Sequence, residues 1–223
     1  MNSSVCIAID GPAGAGKSTV AKMLASKLGY VYIDTGAMYR AVTYQALTDK
    51  INMDDTVAIT QVAEAIDLSL KVDAGGNTRI FINDKDVTQE IRRPEVSKNV
   101  SLVSRIPGVR IILTRLQREL AAQGGVVMEG RDIGTQVLPD AEKKFFLTAS
   151  VEERARRRCL ELQQNGYPVE YDQVIRDIIL RDEIDSNRAL APLKPAPDAV
   201  IVDCSGLTAK QVVNMLLSMV SGG

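Results

Sequence analysis

One nine-residue segment near the amino terminus restricts the fold more than any other. Residues 11–19 read G-P-A-G-A-G-K-S-T and fit the pattern G-x-x-x-x-G-K-[ST]. The apolar run 5–9 precedes them, and the helical pattern 17–28 follows. Glycines let the backbone N–H groups surround a polyphosphate at the amino end of a helix. The segment therefore predicts a strand, a phosphate-binding loop and a helix; a glycine-rich turn without a ligand is the alternative.

The composition excludes several classes of chemistry. The chain of 223 residues contains no histidine, which rules out serine–histidine hydrolysis, histidine-ligated metal sites and histidine acid–base catalysis. Phosphoryl transfer remains, because it depends on positioning and on charge neutralisation. Lys17 is then expected to reach the β- and γ-phosphates of a nucleotide, and the Ser18 hydroxyl is expected to bind Mg²⁺.

Charge and cysteine content indicate the partners and the compartment. The net charge of −1 and the 4% of aromatic residues argue against a nucleic-acid partner. The three cysteines lack C-x-x-C spacing and are expected to be reduced. No segment is typical of a signal peptide or of a membrane span. We therefore expect a cytoplasmic monomer that binds no membrane.

Short apolar runs alternate with helical patterns, as in a parallel α/β sheet. The five predicted strands of this sheet are residues 5–9, 30–34, 126–128, 144–147 and 199–202.

A second pattern interrupts this alternation. The runs 68–72 and 78–82 are joined by the turn sequence 73–77, which predicts a hairpin. We therefore predict a small β-rich insert at about 67–102. The predicted core is then residues 1–66 and 103–223.

Polar side chains follow the predicted second and third strands. Thr35 and Arg40 come after the second, and Gly130, Arg131 and Asp132 come after the third. Because the carboxyl ends of parallel strands form the edge where open α/β sheets bind ligands, we expect these residues to line a cleft. Arginine suits a phosphate there. The alternatives are that Thr35 caps a helix and that Arg131 and Asp132 form a surface ion pair.

The helical pattern after the fourth strand is rich in arginine. Arg154, Arg157 and Arg158 lie at i, i+3 and i+4, on one face, and Ser150 with Glu153 fits a capping box. Near a bound triphosphate, these arginines predict charge stabilisation by a short flap at about 150–168 that closes over the donor. A solvated face paired with glutamates is the alternative.

The predicted helix at about 172–188 changes character along one face. The apolar positions Val174 and Ile178 are continued by Arg181, Asp185 and Arg188. Such a face packs on the core at one end and presents charges to a cleft at the other. A simple i,i+4 ion pair, which contributes a few tenths of a kcal/mol, is the alternative.

Together these segments resemble the bacterial cytidylate kinases. The stretches that carry the resemblance are I-A-I-D-G-P-A-G-A-G-K-S-T, I-D-T-G-A-M-Y-R, E-G-R-D-I-G-T, R-D-E-I-D-S-N-R-A-L-A-P-L and V-D-C-S-G-L, within about residues 5–215. The resemblance implies a P-loop three-layer αβα fold with a five-stranded parallel sheet, a monophosphate-binding insert and a flap. It also implies transfer of the γ-phosphoryl group of ATP to CMP or dCMP, with Mg²⁺.

The resemblance further implies roles for individual residues. ATP would be held by Gly11, Pro12, Ala13, Gly14, Ala15, Gly16, Lys17, Ser18 and Thr19. CMP would be held by Thr35, Arg40, Ser101, Arg110, Gly130, Arg131, Asp132, Arg181, Asp185 and Arg188. The implied catalytic charges are Lys17, Arg131, Arg154, Arg157 and Arg158, and the implied metal ligand is Ser18. Glu129 stands where relatives carry aspartate.

Two other functions are weighed against this one. The first is a kinase for another small acceptor, such as UMP, AMP or shikimate. Asp132 argues against UMP, because a carboxylate accepts from the amino group of cytosine and repels the O4 acceptor of uracil. The second is a P-loop NTPase switch protein, but the guanine-reading segments N-K-x-D and T-K-x-D are absent from the sequence.

Overall fold

The structure is a computed structural model of the chain and describes residues 5–73, 78–164 and 166–221. Residues 74–77 of the predicted hairpin turn and residue 165 of the predicted flap lie outside these ranges. Two compact units are present, Met1–Tyr32 with Gly124–Gly223 and Ile33–Gln123. Within the described ranges, no helix is both long and apolar enough to cross a membrane.

The elements follow one another as strands and helices along the whole chain. The strands are β1 (Cys6–Asp10), β2 (Val31–Asp34), β3 (Leu68–Val72), β4 (Thr78–Ile82), β5 (Lys85–Asp86), β6 (Val126–Glu129), β7 (Lys143–Thr148) and β8 (Val200–Asp203). The helices are α1 (Lys17–Leu28), α2 (Thr35–Thr48), α3 (Thr56–Ala65), α4 (Pro94–Ser104), α5 (Pro107–Ala121), α6 (Val151–Gln164), α7 (Tyr171–Asn187) and α8 (Ala209–Ser221). Short 3-10 and π-helical turns occupy Glu90–Arg92 and Ile133–Val137.

The larger sheet has five strands in the order β2-β6-β1-β7-β8. Strand β1 pairs in parallel with β6 and β7, so that Ile7 lies opposite both Val127 and Lys143. Strand β8 pairs in parallel with β7. The predicted α/β fold with a five-stranded parallel sheet is confirmed.

One face of this sheet is covered by α1 and α8. Ile7 and Ile9 of β1 are fully buried, and they belong to one apolar cluster with Leu24 of α1 and Leu216 of α8. A strand buried in a parallel sheet is apolar at successive positions, which explains the unbroken run in the sequence. Because the strands are parallel, the segments after β1, β6, β7 and β8 begin at the same edge.

The unit Ile33–Gln123 is built on the small sheet β3-β4-β5, whose strands are antiparallel. Its core joins Ile80 of β4 to Met38, Ile59, Val103 and Leu113 of helices α2 to α5. The predicted insert 67–102 covers the small sheet and most of α4. The compact unit is larger, because α2, α3 and α5 bury their apolar faces in the same core.

Two local predictions about helix caps have different outcomes. The alternative that Thr35 caps α2 is wrong: Asp34 is the cap, and its carboxylate accepts from the Ala37 N–H at 2.9 Å. At α6, the Glu153 N–H donates to Ser150 Oγ at 3.2 Å, as the capping pattern predicts. The Glu153 carboxylate, however, accepts hydrogen bonds from Arg156 and Arg157.

Candidate active site

The phosphate loop connects β1 to α1 through three glycines with positive φ. Gly11, Gly14 and Gly16 have φ values of 144°, 79° and 90°. A Cβ added at Gly11 would lie 2.0 Å from the carbonyl oxygen of Leu147 in β7. Only glycine fits at this position, since the loop leaves the sheet directly against the backbone of the next strand.

We predict that Gly11→Ala destabilises the protein by about 2–5 kcal/mol, because overpacking adds to backbone strain. Urea unfolding measures this loss. Gly29→Ala is the matched control, since Gly29 also has a positive φ of 68° but nothing lies within 4 Å of its added Cβ. Equal losses in the two variants would contradict the close approach to Leu147.

Lys17 is a buried lysine in this loop. Its Nζ donates to the Pro12 carbonyl at 2.8 Å, and the residue is only 5% exposed. Burial, together with the charges of Arg131 and Arg181, lowers the pKa of Lys17 to about 7, although the negative charges of Glu129 and Asp10 oppose this shift. A phosphate anion in the loop would favour the charged form of Lys17. The site is therefore electrostatically suited to an anionic ligand.

Asp10, the last residue of β1, is a buried carboxylate that the sequence arguments left without a role. Its two oxygens accept the N–H groups of Ile133 and Gly134, each at 2.8 Å. These bonds fix the turn after Arg131 and Asp132 to the strand that enters the phosphate loop. The sequence does contain a signal for Asp10, because it is a charged residue at the end of an apolar run. The charged residues after the third predicted strand, including Asp132, were identified in the same way.

The pKa of Asp10 gives a test of this burial. Burial raises the pKa from 3.8 to about 6, although the two backbone hydrogen bonds oppose the rise. The folded state thus holds the proton more tightly than the unfolded state, and this stabilisation is lost as the pH rises through 6.

We expect the unfolding free energy of the parent, relative to Asp10→Asn, to fall by about 1 kcal/mol between pH 5 and pH 7. Urea unfolding at both pH values measures the difference. A relative stability that stays constant or rises with pH would contradict the raised pKa.

Two ion pairs, one buried and one partly buried, join the turn after β6 to the charged end of α7. Arg131 Nε lies 3.1 Å from Asp185 Oδ2, and Arg188 Nη2 lies 3.1 Å from Asp132 Oδ1. Arg181 Nε lies 3.9 Å from the same oxygen of Asp185. Buried ion pairs contribute little net stability, because desolvation offsets the attraction. Their presence at one edge of the sheet therefore favours a binding role over a purely structural one.

Glu129 ends strand β6 and is also buried. Its Oε1 accepts the Tyr32 hydroxyl at 2.7 Å. The negative charge of Glu129 also raises the pKa of Lys17. The carboxylate is therefore fixed in orientation and is part of the electrostatic environment of the loop lysine.

The three arginines of α6 have different surroundings. Arg154 Nη1 donates to the Ala13 carbonyl and Arg157 Nη1 to the Ala15 carbonyl, both at 3.2 Å. Arg158 Nη1 instead donates to Glu161 on its own helix at 2.8 Å. The structure thus brings Arg154 and Arg157 to the phosphate loop. Arg158 instead pairs with a glutamate of its own helix, which was the alternative given for this arginine-rich face.

Four further predicted residues belong to the unit Ile33–Gln123. In this unit, Arg40 of α2 donates from Nη1 to Ser97 Oγ of α4 at 2.7 Å. Ser101 is buried one helical turn after Ser97. Arg40 and Ser101 are thus placed by neighbouring parts of α4.

Arg110 and Thr35 are also buried in this unit. Arg110 Nη1 donates to the Ser104 carbonyl at the end of α4 at 3.1 Å. The guanidinium carbon of Arg110 lies 5.7 Å from the centre of the Tyr39 ring. These contacts place a cation beside α2 and α4, and Thr35 begins α2.

Comparison with known proteins identifies the family. A family model described as "Cytidylate kinase" matches residues 7–222. The cytidylate kinase of Pelotomaculum thermopropionicum is 56% identical over 223 residues, with 100% of this chain and 99% of the relative covered. That of Desulforamulus reducens is 55% identical over 223 residues, with both chains covered at 100%.

A solved structure supports the fold independently of close sequence similarity. An uncharacterized protein from Eubacterium ventriosum superposes with a TM-score of 0.54 at 12% identity, and 98% of this chain and 99% of that chain are covered. At this identity the likeness concerns the fold alone. The family model and the relatives, which span the whole length at more than half identity, show that the chain belongs to the cytidylate kinase family.

Proposed function

We propose that the protein transfers the γ-phosphoryl group of ATP to CMP or dCMP, giving ADP and CDP or dCDP. The observation that carries this proposal is the cluster of cations at the phosphate loop. Lys17 is buried, and its pKa is lowered partly by the charges of Arg131 and Arg181. A phosphate anion would offset the burial of Lys17 and its repulsion from these arginines, so that the cluster suits the phosphate groups of two nucleotides. Membership of the cytidylate kinase family supports the identity of the acceptor.

The phosphate loop is the proposed donor site. Its backbone N–H groups and the amino end of α1 would surround the phosphates of ATP, and Lys17 would contact the β- and γ-phosphates. The proposed ATP contacts are Gly11, Pro12, Ala13, Gly14, Ala15, Gly16, Lys17, Ser18 and Thr19. Arg154 and Arg157, which already contact the loop backbone, would add positive charge as the transferred group separates.

Mg²⁺ would accompany ATP at Ser18. The Ser18 side chain lies on an exposed part of the first turn of α1, next to Lys17. Across the described residues, no group of three or more His, Cys, Asp or Glu side chains is placed to hold a metal. One hydroxyl, phosphate oxygens and water suit this hard cation, which usually keeps several water ligands. When bound, Mg²⁺ would neutralise charge on the β- and γ-phosphate oxygens.

The proposed contacts with the acceptor fall into three groups, those to its phosphate, its sugar and its base. Thr35, Arg40 and Arg131 are proposed to bind its phosphate, and Gly130 is a further proposed contact with CMP. Arg181 and Asp185 are proposed to contact the sugar. Residues of complementary hydrogen-bonding character are proposed to surround the cytosine ring, namely Ser101, Arg110, Asp132 and Arg188.

No general base is required in this reaction. The attacking atom is a phosphate oxygen of the acceptor, which is anionic at neutral pH. The barrier that remains is repulsion between two phosphate groups and their alignment. Lys17 and Arg131 would reduce the repulsion, and closure of the flap 150–168 would keep water from the donor. The insert 67–102 is proposed to help bind the monophosphate.

We also propose a compartment, an oligomeric state and partners for the enzyme. We place it in the cytoplasm as a monomer whose partners are small nucleotides. The free thiols of Cys6, Cys159 and Cys204 support a reducing compartment.

A coupled assay of ADP release over CMP, dCMP, UMP, AMP and shikimate tests the acceptor. We expect kcat/KM to be highest with CMP or dCMP. Equal or faster turnover with an acceptor that lacks cytosine would contradict the proposal and favour one of the other small-molecule kinases.

A further inference from the structure

A carboxylate of α7 holds one of the arginines that contact the phosphate loop. Asp182 Oδ2 accepts from Arg154 Nη1 at 2.6 Å. The same Nη1 donates to the Ala13 carbonyl at 3.2 Å, and Arg154 Nε donates to the Ala149 carbonyl at 3.1 Å. Arg154 is only 4% exposed. Its guanidinium is therefore fixed by acceptors on three separate segments of the same unit.

Arg154 and Arg157, which both contact the phosphate loop, differ in how many of their guanidinium nitrogens already donate hydrogen bonds. The hydrogen bonds of Arg154 to the described part of the chain use only Nε and Nη1, which leaves the Nη2 amino group for a ligand. In Arg157, all three nitrogens are engaged, by Glu153, the Ala15 carbonyl and the Cys204 carbonyl. Of these two arginines, Arg154 can therefore offer both N–H groups of one amino group to an anion.

The backbone contacts place this amino group beside the loop. A Cβ added at Gly14 would lie 3.0 Å from Arg154 Cβ, so that α6 packs directly on the loop. The apolar contacts between α6 and α7, which include Ala155, Val174 and Ile178, hold the two helices together. Asp182 continues the Val174–Ile178 stripe by one turn and brings a negative charge to the point where this helix pair meets the loop.

We propose that Asp182 is a positioning residue for phosphoryl transfer, which acts by holding Arg154 with its Nη2 group ready for a phosphate oxygen of ATP. This inference rests on the proposed function. A long side chain that is already ordered loses little rotamer freedom when the ligand binds, and a fixed guanidinium needs no reorganisation as charge develops. Asp182 also couples the loop to α7, which carries Arg181 and Asp185.

The test is Asp182→Asn, with Asp177→Asn as the matched control on an exposed part of the same helix. We expect Asp182→Asn to lower kcat/KM for ATP about tenfold, equal to 1.4 kcal/mol, while KM for CMP stays within about twofold. Asp182→Glu should recover part of the loss, and Asp177→Asn should match the parent. Thermal unfolding identifies a temperature at which all variants are folded. A kcat/KM for ATP within twofold of the parent would overturn the proposal.

A double-mutant cycle separates positioning from a general structural effect. If Asp182 acts through Arg154, Asp182→Asn adds no further loss in the background of Arg154→Met. Fully additive losses would overturn the proposal.

Calorimetry with Mg·ATP alone separates this proposal from the function itself. A parent that binds ATP but does not phosphorylate CMP would contradict the proposed function. In that case, about tenfold weaker ATP binding by Asp182→Asn would still support the role of Asp182, and unchanged binding would overturn it.

Discussion

Lys17→Met is expected to lower kcat/KM for ATP by about 10²–10³-fold, the loss typical when one preorganised charge-stabilising group is removed from an active site. Methionine keeps most of the length and volume of the side chain but cannot neutralise phosphate charge. The steady-state ADP-release assay with saturating CMP measures the effect. Because Arg131 and Arg181 remain, we expect residual turnover above background.

A stability measurement separates this effect from misfolding. Burial lowers the pKa of Lys17, which means that the folded protein without ATP disfavours the charged amine. We therefore expect Lys17→Met to unfold at a temperature no lower than the parent. Lys22→Met, on an exposed part of the same helix, is the control and should keep full activity. More than a tenth of parental activity in Lys17→Met would contradict the role of Lys17.

Asp132→Asn is expected to lower the CMP-to-UMP ratio of kcat/KM by about tenfold or more. The carboxylate of Asp132 offers only acceptors, which suit the amino group of cytosine and repel O4 of uracil. An asparagine amide can present either its oxygen or its NH₂ group, so that both bases are accommodated. Steady-state kinetics with each acceptor measures the ratio.

The partner of Asp132 must be considered in this experiment. Arg188 pairs with Asp132 in a buried site, and removal of one partner from a buried pair is strongly destabilising. Asparagine retains an acceptor for Arg188, and thermal unfolding shows whether the variant is folded at the assay temperature. Asp140→Asn, at an exposed position after the same turn, is the control. An unchanged ratio would mean that Asp132 does not distinguish the two bases.

Much of the fold could be predicted because its signals are local. The unbroken apolar run of β1 and the glycine pattern of the loop together specify a buried parallel strand followed by a phosphate site. The capping pattern at Ser150 likewise involves residues only three apart. In each case the physical cause of the structure lies within a few neighbouring residues.

The features that could not be predicted depend on tertiary contacts. Asp34 rather than Thr35 caps α2, and both residue types favour such positions, so local preference does not separate them. Helix α4 begins at Pro94 and has three buried valines, Val96, Val100 and Val103, which alternate with polar residues along the segment. Its amphipathic face is stabilised by the core around Met38, which the sequence alone does not reveal.

The candidate site shows the same division between local and tertiary signals. The sequence indicated which arginines follow the helical periodicity, but it placed Arg154, Arg157 and Arg158 in one group. The structure distinguishes them by partners that are distant in the chain, such as Ala13 and Asp182 for Arg154. The anchoring role of Asp10 likewise depends on a turn more than a hundred residues away.

The central claim is that the phosphate loop passes a phosphoryl group to a second nucleotide and not to water. The most direct test follows the label of γ-³²P-ATP into products, with and without CMP. We predict that with CMP nearly all of the released label appears in CDP, with one labelled CDP formed for each ADP. Without CMP, we predict that little label is released. Inorganic phosphate as the main labelled product, at a rate independent of CMP, would contradict this account.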